Sequence, residues 1–182
     1  MMKALKEWAT VVKALETGNQ TVLLRKGGIL EAASGFQVES KKFAIFPTYE
    51  HQDNSSLKSQ FYQYLADARE QKPKEGTNRI TSFADVLEEH DVSSMEKIGA
   101  LSSFHIWSDS YITERMNWMP EKHMKAIFLK VYKIDPIEIP ILPEYHGCKS
   151  WIELNVNSEN GNAVLSEAVL QNKLQEFRSI VN

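Results

Sequence analysis

Only one cysteine, Cys148, stands among the 182 residues. A lone thiol excludes an internal disulfide framework and suits a reducing compartment. Charge of one sign is also missing. There are 21 Lys and Arg against 24 Asp and Glu, a net charge of −3, so nothing draws the whole chain toward nucleic acid and any polyanion site has to be a local patch. No window reaches the ~18–20 apolar residues that a membrane span needs. The opening MMKALKEWATVVKALE lacks the unbroken apolar core of a signal peptide. These absences predict a cytoplasmic protein with no membrane partner. The phosphate-cradling spacings GxGxxG and GxxxxGK[ST] do not occur, and neither does CxxC, so no cofactor or metal is expected. What remains is an ordinary globular balance, 42% hydrophobic and 25% charged, in a length that suits one domain.

Periodicity sketches the elements. Leu5, Trp8, Val12 and Leu15 recur every three or four residues and predict a helix over 3–17, ended by Gly18. Residues 21–24 read as a strand. Segments 36–39 and 43–46 predict a β-hairpin with its bend at Ala33–Gly35, Pro47 ending the second strand. The run 53-DNSS-56 offers N-caps for a helix over 57–70, and 71–78 is a polar loop. A strand is expected over 79–86, followed by an acidic stretch, 87–98, that neither pattern decides. Another strand is expected over 101–107. Ser108 then caps a short helix over 109–118 that Pro120 stops. Residues 126–134 are apolar on both faces, which suits a central, doubly covered strand. After an extended, proline-rich 135–154 comes a polar link and a last helix over about 163–181. Strands with interspersed helices and few clean βαβ units predict an α+β fold with a mixed or antiparallel sheet or barrel. Residues 1–154 would form the domain. The link and C-terminal helix, 155–182, would pack on it, on a partner protein or on a second copy of the chain.

Five places concentrate chemistry. Arg25-Lys26-Gly27-Gly28 sets two cations beside a glycine turn whose free N–H groups can meet an anion, or it is a solvated strand end. His51, just past a strand, can act as a base or a polar contact, or stand idle in a loop. Along 104-FHIWSDSYITERMNW-118, His105 and Trp107 fall on one strand face, and Tyr111 and Arg115 on one helix face. Rings with an arginine can stack nucleobases, or they are core. In 143-PEYHGCKSW-151, Lys149 and Trp151 flank Cys148, which lacks the partners of a zinc ligand or a nucleophile. A Glu-x-Lys at 39-ESK-41, with Glu31 upstream, has the residue types of a metal-dependent nuclease.

The segments 2-MKALKEWATVVKALETGNQTVLLRKGGI-29, 43-FAIFPTYEHQ-52, 104-FHIWSDSYITERMNWMP-120 and 143-PEYHGCKSWIEL-154 together resemble a bacterial family catalogued as domain of unknown function 1802, over residues 2 to about 154. Its reported company with restriction-type nuclease domains would imply a role near DNA or in defence. A helix followed by Gly18, Thr21 and Arg25 in a Gly-x-x-Thr-x-x-x-Arg pattern is similar to the opening of ASCH domains in the PUA-like superfamily, with an insertion at about 30–78. That resemblance implies a small β-barrel with helices over one opening, and a cleft that binds RNA or a modified base. The leading expectation is therefore a PUA/ASCH-like barrel that binds nucleic acid or a nucleotide. Arg25, Lys26 and Lys149 would meet phosphate, Trp107 and Trp151 would stack a base, and His51, His105 and Arg115 would add polar contacts. Gly27 and Gly28 would allow close approach. Two other functions compete: a phosphodiester hydrolase using His51 with Glu39 or Glu50 and a metal, and a non-catalytic partner subunit that docks through its last helix.

Overall fold

The computed structural model, which describes residues 1–27, 35–157 and 160–182, divides the expected first helix in two. Met2–Trp8 form strand β1 and Ala9–Glu16 form helix α1. The cause lies in the partners. β1 runs between β3 (Lys42–Thr48), which is parallel to it, and β6 (Trp151–Leu154), which is antiparallel. Ala4 and Leu5 are fully buried on its two faces. A strand covered on both sides loses the period-two signal, and pairing in the sheet outweighs a weak helix propensity. Gly18 closes α1 as expected. Its φ is +75°, and a Cβ there would stand 2.7 Å from the Leu165 side chain, so only glycine fits without displacement.

Three further strands extend the sheet on the other side of β3: β4 (Thr77–Val92), β5 (Met124–Pro140) and β2 (Val22–Arg25). The order is β2-β5-β4-β3-β1-β6, with the short β7 (Asn162–Ala163) added to β5. β4 and β5 pair antiparallel along their whole length, from Thr77↔Pro140 to Val92↔Met124, with two register shifts. The acidic stretch that the sequence left undecided is thus strand as far as Val92. Its charges are matched across the ladder, Lys125 meeting Asp91 at 2.8 Å and Glu89 at 3.8 Å.

The expected hairpin does not form. β3 pairs with β4, not with residues 36–39. Phe36 instead packs flat against Trp151, ring centroids 6.0 Å apart. Of the expected bend, Ala33 and Ser34 lie outside the described residues. Pro47 does not end β3 either, because the β3–β4 ladder has already stopped at Ala44↔Phe83. On that side the Asn78 amide donates to the Pro47 carbonyl at 2.9 Å, an edge-like place that tolerates a missing N–H. Residues 101–107 are no strand. They follow α3 (Met95–Ala100) as a 3₁₀ turn and a single bridge from Trp107 to Leu57.

The helices cover the sheet. α2 (Tyr62–Glu70) packs on α1. α4 (Asp109–Asn117) starts at Ser108, whose hydroxyl accepts from the Tyr111 N–H. α5 (Glu167–Val181) buries Leu170, Leu174 and Phe177 against the sheet. The fold is α+β with one mixed sheet. Among the described residues its end strands, β2 and β6, share no ladder, so no backbone pairing closes it.

Candidate functional site

Where β1 and β2 end, α4 and the segment before β6 close in on a cleft of about 230 Å³. One wall follows from helical spacing. Tyr111, Ile112 and Arg115 lie three and four residues apart on α4, and Trp118 stands just past its end. Trp107 stacks on Tyr111 with centroids 4.4 Å apart, and Trp8 meets Trp107 edge-on at 5.0 Å. The Arg115 guanidinium lies over the Trp118 ring at 4.8 Å.

The opposite wall is built around Arg25. Its Nη1 meets the Glu7 carboxylate at 2.5 Å, and its Nη2 donates to Ser150 Oγ at 2.7 Å. Nη1 also points to the Lys6 carbonyl at 3.4 Å. Glu7 is only 5% exposed, so this is a largely desolvated pair that fixes the guanidinium fork. Lys6 donates its ammonium to the carbonyls of Tyr145 and Gly147, at 2.9 and 2.8 Å. Burial, with the nearby Lys149 charge second, holds its pKa below the usual lysine range. Burial likewise pushes the Tyr111 hydroxyl up, against the opposing pull of Arg115. Cys148 and Ser150 complete the rim.

Four of the sequence-predicted residues meet here, Arg25, Gly27, Trp107 and Arg115, although Trp107 is itself a core ring, 6% exposed, with one face covered by Tyr111. The others lie elsewhere. Lys26 is 2% exposed, and its ammonium donates to the carbonyls of Arg115 and Met116 at 3.1 and 2.6 Å. It caps the last turn of α4 instead of facing a ligand. Trp151 is a core ring. It is packed between Phe36 and Phe43, and its Nε1 donates to the Gln37 carbonyl at 2.9 Å. His51 is exposed in a left-handed conformation, φ 60°, and is not part of the cleft lining. Lys149 is exposed between two lining residues without lining the cleft itself. Gly28 lies outside the described residues.

His105 is 3% exposed. Its Nδ1 accepts from the Trp107 N–H, and among the described residues its Nε2 has no hydrogen-bond partner. Burial, followed by the Lys58 charge, takes its pKa from the ordinary 6.5 to about 3. The folded protein therefore holds a neutral imidazole where the unfolded chain takes a proton. Between pH 6.5 and 3 the unfolded state binds more protons, so stability falls as pH falls. The limiting slope is about 1.4 kcal/mol per pH unit. His105→Phe should flatten the fall of the unfolding midpoint between pH 6 and 4. An equally steep fall in the variant would move the acid sensitivity to other groups.

Lys26 has a consequence for the cleft wall. Lys26→Met should cost about 1–3 kcal/mol of stability, because two helix-end carbonyls lose a charged donor. Denaturant midpoints would show it. An unchanged midpoint would mean that the α4 end does not depend on this contact.

The nuclease-like residues are dispersed. Glu39 is exposed and pairs with Lys3 at 2.9 Å, Lys41 pairs with Glu89 at 2.6 Å, and Glu50 is exposed. Glu31 lies outside the described residues. Among the described residues, no group of three or more His, Cys, Asp or Glu is placed to hold a metal ion. Sequence reasoning missed Lys6, Glu7 and Trp8, because a helix was expected where β1 runs. Tyr111 was visible beside Arg115 as a possible stacking ring, whereas nothing local marked Trp118 as a cleft wall.

Fold and site together define an α+β protein whose sheet, unclosed among the described residues, carries an aromatic cleft lined there by three cations and one carboxylate. The chain belongs to the family described as Domain of unknown function (DUF1802), whose model matches residues 4–176. The match thus runs past 154 and into α5. No curated protein matches the chain. Among solved structures it is similar to the crystal structure of ASCH from Zymomonas mobilis, at 14% identity and a TM-score of 0.44, over 99% of this chain and 95% of that one. It is also similar to a serine-to-alanine variant of the ASCH protein of that organism, at 15% identity and TM-score 0.42, over 74% and 72% of the two chains. A tyrosine-to-phenylalanine variant gives 16% and 0.42, over 74% and 73%.

Proposed function

We propose that this cleft binds one nucleotide of a nucleic acid, with the base against the aromatic wall and phosphate at Arg115 and Lys6. One observation carries this. In a chain of net charge −3, the described residues of the cleft gather Lys6, Arg25 and Arg115 against Glu7, beside Trp8, Trp107, Tyr111 and Trp118. Phosphate contacts depend on the local patch and not on the total charge. Aromatic faces stack any base. Arg25, held by Glu7 and Ser150, shapes the floor, and the left-handed Gly27, φ +86°, lets a ligand approach the backbone. The Arg25 side chain also reaches from β2 to β1, across a gap that no ladder among the described residues closes. This supports a rolled, PUA-like barrel with the cleft at its mouth and α4 over the opening.

The test is oligonucleotide binding at several salt concentrations. Arg115→Ala should weaken binding by about 1–3 kcal/mol, the worth of a charge-assisted hydrogen bond. It should also flatten the dependence of log K on log salt by about 0.7 per lost phosphate contact. If no oligonucleotide binds, or if Arg115→Ala binds like the parent at every salt, the cleft does not serve nucleic acid.

A further inference from the structure

The cleft does not end at Lys6. A second cavity, of about 200 Å³, shares Lys6 and Thr48 with it. A third, of about 270 Å³, shares Pro47 and Tyr49 with the second. The three therefore follow one another along the end of β3, with Thr48, Pro47 and Tyr49 as a common rail. We propose that they form one groove that takes an extended single strand of several nucleotides, its first base in the aromatic cleft and its backbone running along β3 to Arg79 and Lys133. This rests on the nucleotide-binding function proposed above and adds the form of the ligand.

Charge supports the extension. Among the described residues, seven cations line the three cavities against three carboxylates, Glu7, Glu50 and Glu16, although the chain as a whole has more acids than bases. Lys13 and Arg79 share their charge with Asp67 and Glu138. Lys72 and Lys133 are exposed, and among the described residues neither forms an ion pair. A backbone phosphate is the ligand group that such cations meet without base contacts. The strand must be single because of the first cleft. Its volume of about 230 Å³ is below the ~300 Å³ at which drug-sized sites begin, room for about one base. A base inside a duplex is stacked on its neighbours and turned inward, and it reaches such a recess only when unpaired.

The experiment compares a mononucleotide, a trinucleotide, a single-stranded dodecanucleotide and the matching duplex, each as RNA and as DNA, in competition with a labelled strand. The dodecanucleotide should bind at least about tenfold more tightly than the mononucleotide, and with a steeper salt dependence. Lys72→Ala/Lys133→Ala, chosen because both side chains are exposed, should weaken the dodecanucleotide about tenfold and leave the mononucleotide unchanged. Its salt slope should fall by about 1.4, or about 0.7 for each phosphate contact. Arg115→Ala should weaken both ligands. Preference for RNA or for DNA supports the proposal equally, provided the single strand wins. A duplex that competes as well as the single strand overturns it, and so does a double lysine variant that binds the dodecanucleotide normally. In either case the effect of Arg115→Ala on the mononucleotide still reports on the cleft alone. If neither mononucleotide nor strand binds, the groove and the nucleotide site fall together.

Discussion

Truncating Glu7 to alanine is expected to lower the free energy of unfolding by about 3 kcal/mol. Glu7 lies on β1 inside the sheet, 5% exposed, with Arg25 Nη1 at 2.5 Å. Removing one partner of a buried pair leaves the other charge uncompensated, which costs about 3–5 kcal/mol. The Arg25 side chain keeps 21% of its surface in contact with water, and this places the expected loss at the lower end. Glu7→Gln should cost less, since an amide oxygen still accepts one guanidinium bond. Glu7→Ala combined with Arg25→Ala should recover part of the loss, because the orphaned cation is gone. The double-mutant cycle isolates that coupling. Denaturant midpoints at constant m-value are the measurement. A loss under about 1 kcal/mol would put the pair with solvated surface bridges. The same pair joins β2 to β1, so Glu7→Ala should also loosen the cleft floor and weaken oligonucleotide binding, although Glu7 itself carries no attraction for phosphate.

What could be read from the sequence followed how local its cause was. Ser108 capping α4, Gly18 closing α1, the strand centred on 126–134 and the apolar stripe of the last helix each depend on a few adjacent residues, and all appear in the structure. β1 depends instead on β3, about forty positions away in the register Ala4↔Ala44, and on β6 near the other end of the chain. No window around Leu5 contains that information. The periodicity of Leu5, Trp8, Val12 and Leu15 therefore described a helix that only its second half forms. β4 and β5 were recognised at their centres and not at their ends, where matched charges continue a ladder that apolarity no longer marks.

The site divides the same way. Arg25, Trp107 and Arg115 sit in segments dense enough in chemistry to be noticed, and they share the cleft. Trp151, His105 and Lys26 bear equally suggestive side chains, but their environment is decided by residues remote in sequence. Phe36 and Phe43 enclose Trp151, and the end of α4, about 90 residues on, takes the Lys26 ammonium. Alternation along β2 did place Arg25 and Lys26 in different surroundings. The arginine faces the cleft, and its neighbour holds the helix that forms the opposite wall.

Phe177→Ala is expected to cost about 3–5 kcal/mol, the range for removing a fully enclosed aromatic ring. Phe177 is completely buried. Its ring meets Phe128 of β5 at 5.3 Å, Phe104 at 6.2 Å and His90 of β4 at 5.7 Å, so the C-terminal helix completes an aromatic cluster that the sheet cannot enclose alone. Ion pairs hold the helix at both ends, Glu167 with Lys130 at 2.9 Å and Arg178 with Glu88, but their exposure limits each to a fraction of a kcal/mol. The ring therefore carries the attachment. For a chain of this size the loss should lower Tm by roughly 10 °C. Val169→Ala, at a position on the same helix that is 43% exposed, should change stability by no more than about 0.5 kcal/mol. Thermal unfolding of the two variants side by side makes the comparison. If Phe177→Ala melts with the parent, the helix is not seated on the sheet in solution, and its Leu170, Leu174 and Phe177 stripe is free to dock onto another protein.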